Sequence, residues 1–196
     1  MPVLAVEFQF AQQEHCMAKH YIYRMDHDTG FAPRVSANTC TLCGCKTTTV
    51  EAWAQPGSWV IGIGGKGTGK ADALIYALRV EANPTVAEFR RRSPRRAAYL
   101  AGRALKASSK VLVARHFYYL GSSAVSLPFK LKHLTIPAQG CKTLADEDAS
   151  RLDRYLSKRF GPGVHGVPNN PSPALRRRCG CGRANSADGK RKRRRI

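Results

Sequence analysis

Gly57-Ser58-Trp59-Val60-Ile61-Gly62-Ile63, then Gly64-Gly65-Lys66-Gly67-Thr68-Gly69, then Ala73-Leu74-Ile75-Tyr76-Ala77-Leu78-Arg79-Val80 decides the fold class: two apolar runs joined by a glycine-rich link. The first run follows the turn residues Pro56-Gly57 and holds Trp, Val and Ile, so it reads as a strand. The second is apolar at nearly every position and fits helix or strand by periodicity alone. The link, continued through Lys70 and Ala71, nearly spells G-x-x-x-x-G-K-[ST], the loop whose backbone N–H groups wrap nucleotide phosphates and whose last hydroxyl holds magnesium. Here that hydroxyl is replaced by the methyl of Ala71, and Val111-Leu112-Val113 runs into Ala114 and Arg115 rather than a metal-binding aspartate. The link therefore reads as the tip of a β-hairpin, and NTPase chemistry is set aside.

Working outward, His20-Tyr21-Ile22-Tyr23-Arg24-Met25-Asp26 alternates as a strand does and enters a turn-rich loop, Asp28-Thr29-Gly30-Phe31-Ala32-Pro33. Thr85 with Glu88 three residues on is the reciprocal pair of a capping box and opens a helix. Residues 97–106 are helix-prone through Ala, Leu, Arg and Lys. Residues 111–120 are rich in strand formers and end at Gly121. A last helix spans about 144–160, with Leu152, Tyr155, Leu156 and Phe160 on one stripe, acids at its start and Lys158-Arg159 at its end, as the helix dipole prefers. Short strands with two or three peripheral helices make an α+β fold, and no internal repeat is visible.

The chain has 196 residues with 33 Lys+Arg against 13 Asp+Glu, a formal charge of +20. The excess sits in two places. Arg90, Arg91, Arg92, Arg95, Arg96, Arg103, Lys106, Lys110 and Arg115 come with no acid among them. Arg176, Arg177, Arg178, Arg183, Lys190, Arg191, Lys192, Arg193, Arg194 and Arg195 come with Asp188 alone. The division expected is an N-terminal extension over 1–19, one domain over 20–170 with a basic helical insertion at about 90–110, and a disordered basic arm over 171–196. Such an arm binds polyanions by releasing counterions, so nucleic acid, and DNA in particular, is the expected partner; a plain solubility tail is the alternative. No apolar run reaches the roughly 18 residues a membrane span needs, and no secretory signal opens the chain, so a cytoplasmic protein is expected.

Seven cysteines in such a chain read as thiols or metal ligands rather than disulfides. Cys40, Cys43 and Cys45, with Cys179 and Cys181 if the tail folds back, could bind zinc; unliganded thiols explain them equally, and no cofactor is required. Lys46 beside Cys45 could activate that thiol as a nucleophile. Asp28 beside His27 could act as an acid or base, or accept hydrogen bonds from a base edge.

Four stretches, taken in order, resemble one family: Tyr21-Ile22-Tyr23 leading into Asp28-Thr29-Gly30-Phe31-Ala32-Pro33; Cys40-Thr41-Leu42 with Cys45-Lys46; Gly57 to Gly62 followed by Leu74 to Val80; and Phe117-Tyr118-Tyr119-Leu120-Gly121 ahead of Leu127-Pro128. The likeness is to the second of the nucleotide modification associated domain families of bacteria and phages, linked to systems that make or manage modified DNA bases. It extends over about 20–168, including His165-Gly166-Val167-Pro168. The hairpin further resembles the small β-barrel of PUA- and EVE-like domains that bind modified bases, which implies a barrel-like mixed sheet and a base-sized pocket. For such a pocket the candidates are Tyr23, Phe31, Trp59, Tyr118 and Tyr119 for stacking, with Asp28, Lys46 and the backbone of Gly30 for polar contacts. The favoured reading is recognition: the basic segments grip phosphate and the pocket examines one base. An enzyme acting on a base through Asp28, Cys45 and Lys46, and a DNA-binding accessory with no pocket, are the rivals.

Overall fold

The computed structural model describes residues 18–45, 49–136 and 138–171. Its strands are β1 (His20–Met25), β2 (Arg34–Ser36), β3 (Thr39–Leu42), β4 (Trp59–Gly64), β5 (Ala73–Arg79), β6 (Leu112–Ala114), β7 (Phe117–Tyr119), β8 (Val125–Ser126), β9 (Cys141–Leu144) and β10 (Gly163–Val164). Its helices are α1 (Val50–Trp53), α2 (Val86–Arg92), α3 (Pro94–Ala97) and α4 (Asp146–Arg159). The hairpin expectation holds. β4 pairs antiparallel with β5, and the ambiguous second run is a strand. Both strands are buried along almost their whole length because the sheet is covered on both faces, which is why they read as unbroken apolar runs.

The larger sheet runs β10-β7-β5-β4-β1-β9, with β8 also on β5; β2-β3-β6 form a second sheet. β1 lies parallel to β4 and antiparallel to β9, so the first and ninth strands meet at one edge. The mixed α+β sheet is as expected, but the barrel-like form is not closed: among the described residues no pairing joins β9 to β10. The reason lies in what each face packs against. One face, with Tyr21, Tyr23, Val60, Leu78 and Tyr119, meets Cys40 and Leu42 of β3, Leu112 and Ala114 of β6, and Val50 of α1. The other, with Ile22, Trp59, Ile61, Ala77 and Tyr118, meets Leu131 and Leu134 of a 3-10 turn and Leu152 and Leu156 of α4. A sheet sandwiched in this way has no lumen to enclose.

Between Gly62 and Ile63 the β4–β5 register shifts, which places Ile75 and Tyr76 in the same core although they are neighbours in sequence. A Cβ on Gly62 would lie 2.3 Å from the Tyr76 ring, so only glycine admits that ring. The glycine-rich link is packed on the end of β1, where a Cβ at Gly65 or Gly67 would strike the carbonyl oxygens of Met25 or Asp26. The Arg24 guanidinium donates to the carbonyl of Gly64. These glycines serve a close backbone approach and form no phosphate cradle.

Residues 97–106 depart from the expected helix. α3 starts at Pro94 and ends at Ala97, a 3-10 turn covers Ala98–Leu100, and Gly102 takes φ of +74°. Proline suits a first helical position, whereas the left-handed glycine ends any continuation. The segment packs on α2 through a third small core of Cys43, Val86, Phe89, Ala97, Leu100 and Val111.

Candidate nucleic-acid interface

Asp28, expected at the mouth of a pocket, is fully buried. Its Oδ1 accepts from the Tyr119 hydroxyl at 2.7 Å, and its Oδ2 accepts from the Asn169 backbone N–H at 3.0 Å and the Asn169 Nδ2 at 2.9 Å. Its own N–H donates to Asn170 Oδ1, and its carbonyl accepts from the Asn170 N–H. A buried carboxylate needs such donors to offset desolvation, and here they leave no side for a substrate. Burial, then the Asp28 charge, holds the Tyr119 phenol far above its ordinary pKa. Asp28 is a clamp between the loop after β1 and the closing segment at 169–170.

The stacking candidates fall on opposite faces of the larger sheet, since successive strand residues point to opposite sides. Tyr23 and Tyr119 belong to the core against β3 and β6, and Trp59 and Tyr118 to the core against α4. Tyr23 and Tyr76 are fully buried with their hydroxyls 2.6 Å apart, and burial raises both phenols well above their ordinary range. Tyr118 donates to Asp153 Oδ1 at 2.8 Å and lies 2.5 Å from Ser157 Oγ; Trp59 stacks on its ring with centroids 6.3 Å apart. Phe31 packs edge-on to Tyr99 and carries the Arg103 guanidinium 4.2 Å from its ring centre. Gly30 takes φ of +73° to turn the loop. These residues do not surround one cavity, and the pocket inferred around Asp28 is filled by protein.

The cysteines are likewise apart. Cys40 lies in the core with Tyr23 and Cys43 in the small core with Phe89. Burial pushes the Cys43 thiol up to about 12 and Cys40 higher still, while Cys45 is exposed. Among the described residues no group of three or more His, Cys, Asp or Glu side chains could hold a metal ion. Glu51, wholly buried, accepts the amides of Gly44 at 2.8 Å and Cys45 at 2.9 Å and so fixes that side of the loop. Lys46 lies outside the described residues, as do Cys179, Cys181 and the tail bases Arg176, Arg177, Arg178, Lys190, Arg191, Lys192, Arg193, Arg194 and Arg195.

An open cleft occurs elsewhere. Val50 and Ala54, four residues apart, dip from α1 into the core, and Trp53 is left 53% exposed at the surface. Its ring is centred 6.3 Å from that of Tyr21 on β1 and inclined to it by 41°. Together they line a hollow of about 700 Å³ with Gln55, Cys141, Thr143, Lys19 and Lys142. Ala52 is shared with a second hollow of about 490 Å³ that holds Lys106 and Lys110. Lys110 is shared with a third, of about 480 Å³, that holds Arg92 and Arg96. The acids of that third hollow are engaged, Glu88 by the Thr85 cap and Glu81 by Arg115 at 3.5 Å. Arg90, Arg91, Arg92, Arg95 and Arg96 are all exposed, and none forms an ion pair among the described residues; Arg90 donates to the Leu100 carbonyl at 3.3 Å. The arginines at 90–96 thus lie exposed, and they adjoin an aromatic cleft that the sequence did not announce. The available signal was Trp53 itself, a tryptophan between Glu51 and Gln55 with no apolar run around it.

The sequence profile of nucleotide modification associated domain 2 matches residues 17–100 and 90–173. The chain belongs to this family. In this nucleotide modification associated domain 2 protein the matched range takes in all ten strands and α1 to α4. No curated protein matches the chain. Among solved structures, it is similar to a tyrosine-to-phenylalanine mutant of ZmASCH from Zymomonas mobilis, at 9% identity, over 68% of this chain and 96% of that one, with a TM-score of 0.29. No helix of the described residues is long and apolar enough to cross a membrane.

Proposed function

We propose that this domain recognises a base in nucleic acid, DNA foremost, holding phosphates along its run of cations and stacking one base against Trp53 and Tyr21. The carrying observation is the chain of three hollows joined at Ala52 and Lys110, with an exposed indole at one end and, at the other, arginines that form no ion pair among the described residues. A hollow of about 700 Å³ is ample for a nucleotide, and the Thr143 hydroxyl offers a group to read a base edge. Family membership supports the choice of a modified base as the feature read. An enzyme working through Asp28 gains no support from a carboxylate already occupied by Tyr119 and Asn169.

Stacking of a base on an aromatic is worth about 1–3 kcal/mol. Trp53→Ala is therefore expected to weaken binding of a short single-stranded DNA bearing the recognised base by about tenfold, with the fold retained by circular dichroism. Lys106→Ala with Lys110→Ala should instead weaken all sequences alike and reduce the salt slope by about 1.4, at roughly 0.7 per phosphate contact on a single strand. Anisotropy titrations at several salt concentrations, with a matched RNA alongside, test both. Unaltered affinity in Trp53→Ala overturns the proposal.

A further inference from the structure

We infer that the α4 side of the domain is a second binding site for single-stranded nucleic acid, with Phe129 as its stacking platform and Arg154 at its centre. The 3-10 turn Phe129–Leu134 sorts its apolar residues sharply: Leu131 and Leu134 are buried, and Phe129 is 85% exposed. Leaving a phenylalanine in water forgoes the stabilisation its burial would bring. Beside it lies a hollow of about 480 Å³, lined by Leu131, Tyr155, Lys130, Arg151 and Arg154 and by no acid. Arg154 also lines an adjoining hollow of about 490 Å³, whose walls include Arg79 and Trp59. Lys130, Arg154 and Arg79 form no ion pair among the described residues, whereas Arg151 is held by Glu147 at 2.5 Å and by Asp148 at 3.9 Å. The acid in the second hollow, Asp153, takes the Tyr118 hydroxyl and lies 3.2 Å from His116 Nε2.

An exposed ring flanked by unpaired cations, continuing into a second cationic hollow, fits a polymer that alternates π-faces with negative charges. A base stacks on Phe129, and successive phosphates meet Arg154 and Arg79. A membrane surface would need a broader apolar patch than one ring, and an acidic peptide would satisfy the cations while leaving Phe129 unused. This site is distinct from the Trp53 cleft. Tyr21 belongs to the core on one face of the larger sheet, Leu131 and Leu134 to the core on the other, and the two hollows share no lining residue.

The test is calorimetric stoichiometry with hexathymidylate on the full chain. The native protein is expected to take up two equivalents, Phe129→Ala one, and Arg154→Gln two with the second weakened about fivefold or more. Phe129 is nearly free of packing, so its replacement leaves the melting temperature unchanged. Binding in Phe129→Ala undiminished from that of the native protein, or displacement by hexaglutamate as readily as by hexathymidylate, overturns the inference. Trp53→Ala run in parallel separates the sites: loss of one equivalent there with the Phe129 equivalent intact supports both readings, whereas two retained equivalents in Trp53→Ala and one in Phe129→Ala sink the Trp53 reading alone.

Discussion

His20 ties the start of β1 to its neighbours. Its Nδ1 accepts the Trp59 backbone N–H at 3.0 Å, so that nitrogen carries no proton, and its Nε2 lies 3.4 Å from Asp146. Burial lowers its pKa below 6.5 by more than Asp146 raises it, and Arg79 adds to the lowering. Above pH 6.5 the folded and unfolded chains both hold it neutral, and the full contribution is present. Below 6.5 the unfolded chain takes up a proton that the folded chain resists, and stability falls until the folded pKa is passed. Calorimetric melting temperatures should decline from pH 6.5 toward 5, and His20→Gln should decline less steeply over that interval. Single residues were also where sequence signals misled most. Asp28 in a turn-rich loop looks like a solvated or catalytic carboxylate, because nothing nearby reveals that Asn169, 141 positions away, covers it.

At the scale of elements, local chemistry was legible. The Thr85–Glu88 capping box forms as its spacing requires: the Glu88 N–H donates to Thr85 Oγ1 at 3.2 Å, and Glu88 Oε2 accepts the Thr85 N–H at 2.8 Å. Thr85→Ala should cost about 1 kcal/mol of stability and fray the turn that presents Arg90 to Arg92, to be read as a lowered urea midpoint with an unaltered m-value. The hairpin, β1 and α4 were legible for the same reason, each being written in propensity, capping and periodicity over a few neighbouring residues. What the chain did not disclose was facing. Tyr118 and Tyr119 are adjacent letters on opposite sides of a sheet, and only the pairing of β7 with β5 says which core each enters. A base site assembled from aromatics by sequence proximity therefore mixed two cores, and the register shift beside Gly62 adds a further exception to alternation.

For the molecule as a whole, the arrangement depends on contacts between distant parts: β1 with β4 and β9, β10 with β7, and the loop at Asp28 with residues 169–170. Asp28→Ala removes the acceptor of three bonds, leaves the Tyr119 hydroxyl and Asn169 unpaired, and should cost about 2–4 kcal/mol. Thermal melts measure this, and protection of the 163–170 amides from hydrogen exchange should fall most. Asp28→Asn, which keeps an acceptor but brings two donors of its own, should lie between. The same long-range closure sets a timetable for biosynthesis. A ribosome delivering this chain in order releases Asp28 early and its covering asparagine some 140 residues later, so the carboxylate stays in water, and the sheet stays without its β9 and β10 edges, until the final stretch of the domain has left the exit tunnel. Translation halted short of β9 and α4 would thus yield a polypeptide with one face of its apolar strands uncovered, a substrate for chaperones rather than a shorter working domain.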